Sequence, residues 1–122
     1  MYLRFVFAEA EPKTRRRLGI LRDGHSVCRG ADEVTSIYVW LNAHLPIPPK
    51  TSFSGARALC WFKTDARECI ERVRELAFLL EKRGKRIWQV YSRNPGLITY
   101  EDEHQIVAVP ESARMTAGAW KG

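Results

Sequence analysis

No run of this 122-residue chain is apolar for long enough to cross a bilayer. The apolar opening, Met1 to Ala8, is too short for a secretory hydrophobic region and carries no cleavage pattern. The expectation is therefore a soluble, cytoplasmic protein. Cysteine is scarce: Cys28, Cys60 and Cys69 are odd in number and have no paired spacing. That excludes the dense, even framework of a disulfide-stapled secreted domain and leaves reduced thiols in or near a core. The chain also lacks a repeat, a low-complexity tract and an interdomain linker. With too few residues for two ordinary cores, one globular domain is expected over 1–112, and a small-residue-rich flexible tail with Trp120 over 113–122. No glycine-rich phosphate loop, nucleophile elbow or dinucleotide fingerprint is present. Nor is there an aromatic RNP-like strand, a GXXG loop or a zinc finger.

What the chain does have is a core and a segregated charge. Apolar residues make up 45%, and Trp40, Trp61, Trp88 and Trp120 are spread along the length, which argues against wholesale disorder. The formal charge of +6 favours acidic partners, and its distribution says more than its total. Lys13, Arg15, Arg16, Arg17 and Arg22 form one basic block with no acid inside it. Lys82, Arg83, Lys85, Arg86 and Arg93 form a second, and Glu101, Asp102 and Glu103 make a compact acidic counterpart.

Periodicity outlines an α+β fold, a small, mostly antiparallel sheet against two principal helices. Tyr2 to Ala8 reads as a strand with Leu3, Phe5 and Phe7 on one face and Arg4 on the other. Thr14 can cap a short basic helix through Leu21, although Arg17 to Arg22 also reads as a strand; Asp23-Gly24 ends either. Val34, Ile37, Tyr38, Leu41 and Leu45 recur at helical steps, which predicts a helix over Ala31 to His44, stopped by Pro46, Pro48 and Pro49. Arg57 to Phe62 reads as a short buried strand. The clearest helix runs from Thr64 or Asp65, as N-cap, to Arg83, with Ala66, Ile70, Val73, Ala77 and Leu80 inward and Gly84 closing it. Arg67 with Glu71, and Glu68 with Arg72, stand four apart on its outer face. Three strands follow, Ile87 to Ser92, Leu97 to Tyr100 and Gln105 to Val109, separated by the turn Asn94-Pro95-Gly96 and the polar tip Glu101 to His104.

Several runs together resemble a family of small, functionally uncharacterised bacterial proteins. These are Met1-Tyr2-Leu3-Arg4-Phe5-Val6, Trp40-Leu41-Asn42-Ala43-His44-Leu45-Pro46, Trp61-Phe62-Lys63, and Pro95-Gly96 followed by Tyr100-Glu101-Asp102-Glu103. The resemblance implies a bacterial or mobile-element origin. It implies no catalytic role.

Candidate chemistry is thin. Carboxylates at Glu101, Asp102 and Glu103 beside His104 have the ligand types for a divalent cation, but strand alternation splits them, and a solvated hairpin tip needs the same residues. Cys60 precedes the long helix, where free N–H groups lower a thiol pKa. A phosphatase-like loop would want an arginine six positions on, however, and that position is Ala66. His25 and Cys28 have a metal-like separation without a second pair. The Pro46–Pro49 run can dock in an aromatic groove, or simply stop a helix. No catalytic residue, metal or cofactor is assigned. The residues singled out for partner binding are Arg15, Arg16, Arg17, Arg22, Lys82, Arg83, Lys85, Arg86 and Arg93 with Trp88 and Tyr91, and the acidic tip Glu101, Asp102 and Glu103 is a further recognition feature. The expected function is that of a non-catalytic binding protein (an adaptor, accessory subunit or inhibitor) acting on a macromolecular partner, and a bacterial defence or counter-defence setting suits a chain of this size. The alternative is direct nucleic-acid binding through the basic blocks. A small metal- or thiol-dependent enzyme is the third reading.

Overall fold

The computed structural model describes residues 1–21, 32–53 and 57–110. Strand β1 (Tyr2–Phe7) alternates as its sequence requires, with Leu3, Phe5 and Phe7 turned to the same side. Helix α1 (Asp32–His44) follows, then a 3-10 turn (Lys50–Phe53), strand β2 (Leu59–Lys63) and helix α2 (Arg67–Glu81). Strands β3 (Ile87–Ser92), β4 (Leu97–Glu101) and β5 (Gln105–Val109) complete the described elements. The five strands form one antiparallel sheet in the order β3-β1-β2-β5-β4. This is an α+β fold with β3 and β4 at the edges.

Both helices lie on one face. Val34, Ile37 and Leu41 of α1 and Ile70, Val73, Leu76 and Leu80 of α2 join Leu3, Phe5 and Phe62 in the main core. Fully burying each such aliphatic side chain contributes about 1.5–3 kcal/mol. On the opposite face Trp61, Ile106 and Ala108 make a smaller cluster with Tyr2, Leu59 and Val90.

Loops are tied down by side chains. Gln105, buried, donates its amide N–H to the Pro46 carbonyl, which fastens β5 to the chain leaving α1. Thr99 donates its hydroxyl to the Ser52 carbonyl at 2.7 Å, holding the 3-10 turn against edge strand β4. Gly84, at φ 84°, closes the end of α2 as the sequence predicts. In the turn between β3 and β4, Gly96 sits at φ 122° against the Val109 carbonyl, where a side chain would overlap the backbone.

Three expectations fail locally. α2 starts at Arg67, its capping position is Ala66, and no side chain caps it; Thr64 and Asp65 belong to the preceding turn. No i,i+4 ion pair forms among the described residues of α2. Arg72 instead reaches Glu75 at 3.6 Å and lies over the Trp40 ring at 5.1 Å. The basic helix also does not start at Thr14; within that stretch helix is described only at Ile20 and Leu21. Residues 12–14 are a turn, and Arg15 takes a left-handed φ of 59°, which ends any right-handed helix there.

β1 and β2 share only two register pairs, Tyr2 with Lys63 and Leu3 with Phe62, before they diverge. Beyond Leu3 the neighbour of β1 on that side is the returning chain: Val6 bridges Gly19, and Phe7 N–H donates to the Leu18 carbonyl at 2.9 Å. The sheet is forked at this point.

Candidate functional site

The first basic block is shaped by Glu11. Its carboxylate accepts from the backbone N–H of Thr14 at 2.6 Å and of Lys13 at 3.1 Å, while its own N–H donates to the Arg16 carbonyl at 2.7 Å. Bonds from Thr14 and then Lys13 hold this carboxyl below its ordinary range. The chain thereby reverses over 11–16 and runs back beside the end of β1. Sequence patterning passes over Glu11, because an acid before a basic run looks like solvated polarity. The available signal is its spacing of two and three residues from free N–H groups, the geometry of a side-chain-capped turn.

The second block arrives by a different route. α2 ends at Glu81, the Lys82 ammonium lies 4.8 Å over the Phe78 ring, and Lys85 and Arg86 lead directly into β3. The β1–β3 register pairs Phe7 with Ile87, and Ala8 N–H donates to the Arg86 carbonyl at 2.9 Å. The end of β1 and the start of β3 therefore form one corner. Arg17 joins the two blocks there. Its Nε–H donates to the Ala8 carbonyl at 3.0 Å, and its guanidinium lies 4.1 Å over the Trp88 ring.

Arg15, Arg16, Arg17, Lys82, Arg83, Lys85 and Arg86 are all exposed. Among the described residues none of them is ion-paired; the salt bridges found join Lys63 to Glu101, Arg72 to Glu75 and His104 to Glu103. The nearest acid in this turn, Glu11, is already engaged by backbone.

Not every predicted residue belongs to this corner. Arg93 lies just past the other end of β3, seven residues beyond Arg86 and so about 23 Å away at ~3.3 Å per residue. Trp88 is paired with Val6 and Tyr91 with Leu3, so the two rings project from opposite faces of the sheet and cannot form one stacking platform. Arg22, His25 and Cys28 lie outside the described residues, as do Asp23-Gly24 and the segment 113–122.

The acidic tip lies toward the opposite end of the sheet, near Tyr2 and Lys63. Its three acids do different things. Glu101 pairs with Lys63 at 2.6 Å. Glu103 is exposed. Asp102 turns back and accepts from His104 N–H at 2.8 Å, Gln105 N–H at 3.0 Å, the Tyr100 hydroxyl at 2.8 Å and the Gln105 amide at 3.0 Å. Partial burial pushes this carboxyl up, but the four bonds together outweigh it and bring it below its ordinary value. The Tyr100 phenol is raised in turn, chiefly by its bond to Asp102. The tip is a hydrogen-bonded hairpin turn, and among the described residues no three His, Cys, Asp or Glu side chains converge to hold a metal.

Cys60 sits within β2 rather than at the start of α2, opposite Val107. Burial raises its thiol pKa, partly offset by the positive charge of Arg4. That favours the neutral thiol over a nucleophilic thiolate. Cys69 is buried in the core on α2. Among the described residues no helix is long and apolar enough to span a membrane. No family model, curated protein or solved structure matches the chain.

Proposed function

We propose that this is a non-catalytic binding protein that engages an acidic segment of a larger protein partner through the corner formed by Arg15, Arg16, Arg17, Lys85, Arg86 and Trp88. The observation that carries the reading is the double contact of Arg17, to the Ala8 carbonyl and to Trp88, which unites two basic segments remote in sequence. Unpaired guanidinium groups held on a fixed frame suit bidentate recognition of carboxylates.

Two features favour a protein over a nucleic acid. Edge strand β3 has no described strand on its outer side, and it is flanked by Arg86 and Arg93, so an extended acidic peptide can add to it with its charges matched. The exposed Trp88 ring is already covered by Arg17, and Tyr91 faces the other way, which removes the paired aromatic platform that single-stranded nucleic acid uses.

The test is a pull-down from the native host, with and without nuclease, using the wild type and the triple variant Arg15→Glu, Arg16→Glu, Arg17→Glu. The expected result is a protein partner that survives nuclease and is lost with the triple variant. Loss on nuclease treatment, together with oligonucleotide affinity that falls steeply with salt, would assign the corner to nucleic acid instead. Retention by the triple variant would refute the corner altogether.

A further inference from the structure

The fork between β1 and β2 encloses a cavity of about 270 Å³. One wall is β1 and the returning chain, including Arg4 and Leu18; the other is β2, including Leu59 and Trp61; Phe53 and Val73 contribute from the 3-10 turn and α2. The lining is mainly apolar, and among the described residues no carboxylate belongs to it. Exposed Arg16 and Arg17 stand at its rim.

One cation in this wall lacks a counter-ion among the described residues. Arg4 is half-buried in the middle of β1, and among the described residues its guanidinium makes no hydrogen bond or ion pair, only a 5.7 Å approach to the Trp61 ring. Desolvation on burial lowers its pKa, a sign that the charge is poorly compensated. Trp61 itself is buried, and its indole nitrogen, unpartnered among the described residues, is sealed from solvent and so from anything in the cavity. A guanidinium half-withdrawn from water beside an apolar cavity, with no described anion at hand, calls for an anion from outside the chain. The polar side chains nearby do not supply one. Burial holds the Cys60 thiol neutral, and Gln105 is an uncharged amide.

We infer that the forked cavity is a binding site for a small apolar monocarboxylate, its carboxylate on the Arg4 guanidinium and its hydrocarbon against Leu18, Leu59 and Phe53. A planar carboxylate matches the guanidinium fork in geometry and in charge, and the mainly apolar lining beyond Arg4 suits a hydrocarbon chain. Size sets the hydrocarbon. Scaling from the ~150 Å³ cavity that takes up benzene, 270 Å³ accommodates about ten non-hydrogen atoms. Octanoate is of that size. The anion-binding residue, Arg4, is not part of the partner-binding corner, although Arg16 and Arg17 of that corner stand at the cavity rim.

The experiment is titration of the purified full chain with octanoate, followed by calorimetry, beside octanol and octylamine as neutral and cationic analogues. Saturable one-to-one binding of octanoate is expected, with octanol at least tenfold weaker and octylamine not bound. Arg4→Met, which keeps an unbranched apolar stem and removes the charge, should reduce octanoate affinity tenfold or more and leave octanol unchanged. Arg15→Glu, outside the cavity lining, should leave octanoate binding intact even where it abolishes partner capture. Failure of octanoate to saturate, or equal binding of octanoate and octanol by the wild type, would overturn the assignment without recourse to any variant.

Discussion

Replacing Arg17 with alanine removes two contacts that hold the basic corner together. The bond from its Nε–H to the Ala8 carbonyl is charge-assisted, a class worth about 1.5–3 kcal/mol when shielded from water. Arg17 is exposed, so the lower end of that range or less applies. Its stacking over Trp88 adds ~0.5–1 kcal/mol at an exposed site. One effect opposes these: losing a cation from a chain of charge +6 relieves some repulsion. The net expectation is a loss of about 1–2 kcal/mol, or a fall of about 0.5–1 M in the urea midpoint at an m-value of ~2 kcal/mol per M. Arg17→Lys separates contact from charge. It keeps the positive charge but loses the planar ring contact and the Nε–H, so it should show most of the same loss. A double-mutant cycle with Trp88→Leu should return a coupling of ~0.5–1 kcal/mol. A lysine variant as stable as the wild type, or a cycle with no coupling, would show that Arg17 does not hold the corner.

Two further outcomes test the frame. Gly96→Ala places a methyl group 2.7 Å from the Val109 carbonyl carbon and 2.8 Å from Pro110 Cα at a φ of 122°, and should cost more than ~3 kcal/mol in denaturant unfolding; a loss near that of Gly84→Ala, whose site is open, would contradict the close approach. Asp102 has a folded-state pKa below its unfolded value, so its stabilisation is fully present above about pH 4 and is lost as pH falls through the folded value. Asp102→Asn should therefore be less stable than the wild type at neutral pH and converge with it in acid, as read by urea unfolding across pH; curves that stay parallel would remove Asp102 from that role.

Much of the frame was legible because its signals are local. Ile87 to Ser92 and Gln105 to Val109 are bounded by Gly84, Asn94-Pro95-Gly96 and Pro110, and the structure places β3 and β5 at those limits. The inward stripe of α2 follows directly from helical spacing. The misses arise where a side chain competes with backbone propensity. Thr14 to Leu21 has helical composition, yet Glu11 captures two N–H groups and Arg15 turns left-handed. Asp102 sits in an alternating string but folds back onto its own turn. The site was half legible. Composition isolated the basic blocks, but their meeting depends on the six-pair register between β1 and β3, which no local pattern encodes. Alternation put Arg4 on the face away from Leu3 and Phe5. That it is half-buried follows from the divergence of β1 from β2, a property of strand order.

That divergence accounts for both surfaces described here. After Leu3, β1 exchanges β2 for the returning chain around Leu18 and Gly19. The exchange opens the fork that half-buries Arg4 against Trp61, and the same returning chain brings Arg17 over Trp88. The two sites therefore share a segment but not their decisive residues. Arg15, Lys85 and Arg86 do not line the cavity, while Arg4 and Trp61 are absent from the corner. Arg16 and Arg17 stand in both, and Arg17 is at the rim of one and the centre of the other, so the loss of partner capture and of carboxylate binding together in Arg17→Ala, but separately in Arg15→Glu and Arg4→Met, is the pattern that a shared segment with two distinct sites requires.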